Sequence, residues 1–262
     1  MEGRSGQAME SDEVTYEEKG PSAWITMRRP HVLNALSKEM FRGLRSGLLK
    51  AAKHREVRFV LLTGIGGSFS AGLDIKQVSE FASKVEARNF VYGLVKPFWE
   101  ALFNCDKPLL SIVDGPAYGA GAEIALASDI VIASERSKFA FSGGRVGALC
   151  CISGVVGSLL MNGRKMVEMN LTGNPLSADE ARAAGLVSHV VPQDRLIEKT
   201  DNVLQDLARP SPISNASFKR IRKAEISRTS LSVAYRELLR TITSPDFRKG
   251  SAAFAAKTIA HY

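Results

Sequence analysis

Apolar and polar positions divide this chain into two parts. Up to about residue 190, short apolar runs recur at 14–19, 23–28, 57–63, 109–113, 130–133 and 139–141, most of them closed by Gly, Pro, Asp or Ser, and they read as strands. Helical spacing lies between them. Residues 38–53 put Met40, Phe41, Leu44, Leu48 and Ala51 on one face behind Ser37, a good N-cap. Residues 74–104 read as helix with a break near 84, and 163–172 and 177–184 follow, the latter opened by Ser177 and Glu180 as a capping box. Beyond 190 the pattern is helical only, at 193–208, 212–227, 230–243 and 245–258, with Pro210, Pro212 and Pro245 at the breaks. This predicts an α/β core over 13–190, a helical C-terminal appendage over 191–262 and a disordered tail at 1–12.

The chain is organised around residues 109–134, LLSIVDGPAYGAGAEIALASDIVIAS. A buried strand breaks at Asp114-Gly115-Pro116, and Gly119-Ala120-Gly121-Ala122 then open a helix before a second strand. Small residues let a ligand approach the backbone, and the first helical turn offers free N–H groups at the positive end of the helix dipole. Glu123 sits in that turn, beside a place suited to an anion or oxyanion. A second strand, 57–63, runs into the Gly-rich loop 64–76, which also ends at a helix start. Singly, each loop reads as an ordinary tight turn. Together they can bracket one carbonyl oxygen, the arrangement that stabilises an enolate or a tetrahedral adduct.

These stretches carry a resemblance. SFSAGLDIK (68–76) and IVDGPAYGAGAEIALASDIVIAS (112–134), with RRPHVLNALSKEM (28–40), LTGNPLSADEARAAGLVSHVVP (171–192) and DFRKGSAAFAAK (246–257), resemble the enoyl-CoA hydratase/isomerase family, also called the crotonase superfamily. The match covers nearly the whole chain after about residue 13. It implies a spiral of ββα units, C-terminal helices that form a trimer or a dimer of trimers, and a role in fatty acid metabolism. It implies no permanently bound cofactor, because coenzyme A arrives as part of the acyl-CoA substrate. By the same resemblance, the N–H groups of Leu73 and Ala120 form an oxyanion hole, and Glu123 is the first of two catalytic glutamates. His31, Val32 and Leu33 match the adenine-lining loop. Ala71, Gly72, Asp74, Ile75 and Lys76, with Gly119, match the pantetheine path. Phe254 and Lys257 match an aromatic and a lysine that reach the nucleotide, often from a neighbouring subunit.

The second glutamate of family hydratases is absent: Gly143 stands there, and no Asp follows Gly147, where Ala148 to Ile152 occur. The resemblance therefore implies hydration or isomerisation of an enoyl-CoA with one glutamate. The alternatives are an acyl-CoA hydrolase or decarboxylase of the same fold, or a non-catalytic member that binds coenzyme A or RNA. Cys150 or Cys151 could act as acid or nucleophile, although small buried apolar residues are the simpler reading. Arg145 could bind a substrate carboxylate, or serve as a surface arginine.

Composition narrows this. The 262 residues are 45% hydrophobic and 24% charged, ordinary for one globular chain with a sizeable core. No apolar run reaches membrane-spanning length, so no membrane partner is expected. Cys105, Cys150 and Cys151 make no disulfide framework, and four scattered histidines offer no metal motif. Net charge is +8, with eleven Lys/Arg against three acids over 209–262. Such a basic end suits a phosphorylated ligand, and coenzyme A carries a 3′-phosphate and a pyrophosphate; nucleic acid is not the expected partner. No targeting segment is apparent, so the cytoplasm is the expected compartment, with mitochondrion and peroxisome left open.

Overall fold

A hairpin starts the sheet that positions everything else. In the computed structural model, which describes residues 12–262, strands β1 (Val14–Lys19) and β2 (Ser22–Met27) pair antiparallel around a turn at Gly20. All but the last residue of the predicted tail lies outside the described residues. Helix α1 (Lys38–Lys53) then crosses over so that β3 (Phe59–Gly64) lies parallel to β2. Ser37 caps it as expected, its hydroxyl accepting the Met40 N–H, and the five predicted apolar positions are buried. The predicted break in 74–104 separates α2 (Ile75–Ser79) from α3 (Lys84–Phe90), a π-helical turn at Val91–Val95 and α4 (Lys96–Phe103).

Strand β4 (Leu109–Val113) follows, then the short β5 (Pro116–Tyr118), α5 (Ala120–Ala127) and β6 (Ile130–Ser134). Beyond them come β7 (Lys138–Ala140), a 3-10 turn at Ser142–Val146, α6 (Ser153–Leu160), α7 (Gly163–Thr172), β8 (Leu176–Ser177), α8 (Ala178–Ala183) and β9 (His189–Val191). The main sheet runs β1-β2-β3-β4-β6-β9, and β5, β7 and β8 form a second, smaller sheet. Four helices end the chain: α9 (Leu196–Ala208), α10 (Pro212–Ala224), α11 (Arg228–Ile242) and α12 (Pro245–Ala255).

The main sheet is covered on both faces, which is why its central strands read as unbroken apolar runs. Along β3, Val60 and Leu62 enter the main cluster with α1 and α4, while Phe59 and Leu61 turn to the opposite face. There they meet Leu110, Ile112 and Ile132, with Leu196 and Val203 of α9. The parallel crossovers leave β3 and β4 ending at the same edge, where their loops come together. Over that edge lies the end of the chain: α12 packs on the 142–146 turn and on α2 of its own subunit. No helix among the described residues is long and apolar enough to cross a membrane.

Candidate active site

Two polar side chains fix the loop after β3. Asn34, in a left-handed conformation, donates its Nδ2 to the carbonyls of Ile65 (2.9 Å) and Ser68 (2.7 Å) and accepts the Arg29 N–H (2.8 Å). The Arg29 guanidinium reaches Asp74 at 2.9 Å and Glu13 at 3.0 Å. Segments 28–36 and 64–76 are thereby tied side by side. Leu36 completes the tie as a single parallel bridge: it donates to the Gly72 carbonyl (2.7 Å) and accepts from the Asp74 N–H (3.1 Å). In a parallel bridge both bonds go to the residues flanking the partner. Leu73, the partner, therefore turns its own N–H away from Leu36.

On that far side lies the start of α5. Gly72 has φ +88°, and a Cβ there would stand 2.7 Å from the Tyr118 carbonyl and 2.9 Å from the Ala120 nitrogen. A Cβ at Gly121 would be 2.4 Å from the Ser70 carbonyl. Only glycine permits this approach of the two loops. It brings Leu73 and Ala120 together at the sheet edge. Ala120 is the first residue of α5, whose opening N–H groups have no partner within the helix. Among the described residues, neither the Leu73 nor the Ala120 N–H has a protein acceptor.

Glu123 projects from the first turn of α5 and is 3% exposed. Its Oε1 accepts the N–H groups of Ile152 (2.7 Å) and Ser153 (2.8 Å), so the start of α6 holds the carboxyl in place. Burial pushes its pKa up to about 7, and those two hydrogen bonds restrain the rise. A carboxyl balanced near neutrality can both accept and return a proton.

This raised pKa has a consequence for stability. The folded protein retains a proton at Glu123 that the unfolded chain releases in the ordinary carboxyl range. The contribution is fully present below the unfolded pKa and is lost as pH rises toward 7. Glu123→Gln should thus gain stability over wild type between about pH 5 and pH 8, by up to about 3 kcal/mol, read from urea midpoints at both ends.

Gly143 lies in the 142–146 turn, where a Cβ would meet the Cys150 nitrogen at 3.1 Å and its Sγ at 3.2 Å. Cys150 and Cys151 are buried, and burial together with the Glu123 charge pushes both thiols well up. They are neutral packing groups, which disfavours the nucleophile reading. The Arg145 guanidinium is engaged by the Thr172 carbonyl (3.1 Å) and the Asn174 side chain.

Residues 31–33 form a turn whose Val32 and Leu33 are exposed, and the Leu33 carbonyl accepts the Ala71 N–H (2.8 Å). Asp74 caps α2, accepting the Gln77 N–H, with Ile75 and Lys76 in its first turn. Gly119 precedes Ala120 at the mouth of α5. Phe254 is exposed on α12 and Lys257 follows its end in a left-handed conformation. Phe254 lines a cavity with Arg145, Val146 and Leu171, on the side of α12 that faces the 142–146 turn. The clamp at Arg29 and Asn34 and the α6 anchor of Glu123 were not legible in the sequence pattern.

Comparison with known proteins agrees with this architecture. A family model described as enoyl-CoA hydratase/isomerase matches residues 17–262. A probable enoyl-CoA hydratase of Rhizobium meliloti is 33% identical over 97% of this chain and 99% of its own length. A carnitinyl-CoA dehydratase of Salmonella typhi is 30% identical over 94% of this chain and 97% of its own. The crystal structure of a carnitinyl-CoA hydratase from Mycobacterium avium superposes with a TM-score of 0.81 at 29% identity, covering 97% of this chain and 99% of that one.

The fold is the crotonase fold, α/β with a helical C-terminal region. The chain belongs to the enoyl-CoA hydratase/isomerase family and is one of its acyl-CoA enzymes.

Proposed function

We propose that this protein adds water to a 2-enoyl-CoA, and removes it from the matching 3-hydroxyacyl-CoA, with Glu123 as the one carboxyl that moves protons. The observation that carries this reading is a buried carboxyl, Glu123, held by the Ile152 and Ser153 N–H groups one turn from the free Ala120 N–H. The Leu73 and Ala120 N–H groups hold the thioester oxygen. Glu123 takes a proton from water as the water oxygen bonds to C3. The C2=C3 electron pair moves toward the thioester oxygen, where each N–H stabilises the enolate by about 2.7–4 kcal/mol in comparable sites. Protonated Glu123 then returns the proton to C2. Atoms balance as the net addition of one water.

Coenzyme A would run from residues 71–76 past 31–33, with Phe254 and Lys257 near its nucleotide. Ile213, Phe218 and Ile221 are exposed on α10, an apolar face suited to burial between copies in a trimer or dimer of trimers.

A second reading has one observation in its favour. Gly143 leaves no second carboxyl, and moving a double bond from C3 to C2 needs only one group to take a proton from C2 and return it to C4. Incubation with crotonyl-CoA and 3-hexenoyl-CoA, followed by chromatography that resolves the hexenoyl isomers and by mass spectrometry, separates the two. Hydration adds the mass of one water to crotonyl-CoA. Isomerisation converts 3-hexenoyl-CoA at constant mass and leaves crotonyl-CoA unchanged. Failure of both defeats the proposal.

A further inference from the structure

Helix α6 opens without a side chain of its own to cap it: Ile152 precedes it with no such hydrogen bond, and its first turn holds no acid. The cap comes from α5, through Oε1 of Glu123. Ser153, the first residue of α6, therefore carries a hydroxyl that its own helix start does not use. The side chain is fully buried. Its Oγ lies 2.8 Å from the Cys150 carbonyl and 2.8 Å from Oδ1 of Asn170 on α7. The same hydroxyl is within hydrogen-bonding reach of the Glu123 carboxyl and favours its charged form. A hydroxyl has one proton to donate, and three acceptors compete for this one.

Asn170 is itself held. Its Nδ2 donates to the Met166 carbonyl one turn back (3.0 Å), which leaves Oδ1 for Ser153. The other titratable groups around Glu123 are Cys150, Cys151 and, from α11, Tyr235, and burial keeps all three neutral. Among the described residues no charged side chain acts on Glu123, so its hydrogen bonds alone oppose its burial. Alanine at 153 would keep the N–H that Oε1 accepts, so the backbone anchor does not account for the hydroxyl.

We propose that Ser153 is a positioning residue for Glu123: its hydroxyl, shared with Asn170, orients the carboxyl and stabilises the ionised form. This rests on the reading of Glu123 as the group that moves protons and deepens it. The ionised carboxylate draws the hydroxyl proton to itself and gains a third hydrogen bond. Once Glu123 has taken a proton from water that pull weakens, and the hydroxyl turns to Asn170 or Cys150, so neither state leaves a buried donor unpaired. No proton leaves Ser153. The hydroxyl only rotates.

The test is kcat/KM for crotonyl-CoA against pH, in the full chain as wild type, Ser153→Ala and Asn170→Leu. Ser153→Ala deprives the carboxylate of a donor, so the inflection should move up by about one pH unit. At pH 6 that is a loss of roughly 10-fold, which should shrink toward pH 9. Asn170→Leu removes a competing acceptor and leaves more of the hydroxyl proton to Glu123, so the inflection should move down. A serine that merely ties α6 to α7 predicts something else, a loss that is even across pH. An unmoved inflection in Ser153→Ala, or shifts of the same sign in both variants, overturns the proposal. Each variant decides alone if the other does not fold.

Urea midpoints supply a readout that needs no turnover. The stability that Glu123→Gln gains over its parent between about pH 5 and pH 8 should be larger when the parent is Ser153→Ala, and an equal gain counts against the proposal. A wild type that leaves crotonyl-CoA untouched, or whose inflection survives Glu123→Gln, defeats the reading of Glu123 itself. An inflection that Glu123→Gln abolishes and Ser153→Ala leaves in place defeats this inference alone.

Discussion

Glu123→Gln lowers kcat by roughly 10²- to 10⁴-fold, the usual weight of a positioned acid–base group, while leaving coenzyme A affinity almost untouched. Glutamine keeps an oxygen for the Ile152 and Ser153 N–H groups, so the start of α6 stays anchored. What is lost is the proton acceptor. Steady-state turnover of crotonyl-CoA, with coenzyme A binding measured beside it, checks both halves. Undiminished turnover would assign the chemistry elsewhere and open the hydrolase, decarboxylase and binding-only alternatives. In wild type, kcat/KM should rise with pH to an inflection near the Glu123 pKa of about 7, because the base must be ionised to act. That inflection should vanish in the variant.

Gly72→Ala should cost kcat roughly 10²- to 10³-fold without touching any side chain of the site, as loss of an oxyanion donor does. The added Cβ would be driven into the Tyr118 carbonyl and the Ala120 nitrogen, at a φ of +88° that side chains rarely adopt. The loops at 72–73 and 118–120 must then separate, and the two N–H groups no longer converge. Strain of this kind also lowers stability, by about 1–3 kcal/mol. Gly93→Ala is the control, since its Cβ would meet nothing within 4 Å. Full turnover in Gly72→Ala would show that these N–H groups do not hold the reacting oxygen.

The parts legible from sequence are those whose cause is local. Ser37 and the apolar stripe of α1, the Ser177–Glu180 capping box and the continuous run of β4 each follow from residues within one or two turns. The small residues at 119–122 likewise announce a backbone meant to be approached. Helix α6 is different. Gly154 and Gly157 with Val155 and Val156 are weak helix formers, and packing against α5, α7 and α11 overrides propensity. The anchor of Glu123 therefore leaves no local signature.

Strands β5, β8 and β9 are too short to show a period and exist because neighbouring strands pair with them. Nothing local marks Asn34 and Arg29, because several of their partners lie 31 to 45 residues away. Tyr235 shares helical spacing with Ala234, Leu238 and Ile242, so it reads as core. Only an enclosed oxygen without a partner among the described residues sets it apart.

The claim at the centre of this account is that Glu123 and the two N–H groups generate an enolate at C2. Butyryl-CoA has no double bond to hydrate or move, which isolates that step. Incubated with the protein in deuterated water, it should gain deuterium at C2 with wild type and almost none with Glu123→Gln or Gly72→Ala. Exchange at the wild-type rate without Glu123, or none from an enzyme that turns over crotonyl-CoA, would contradict it.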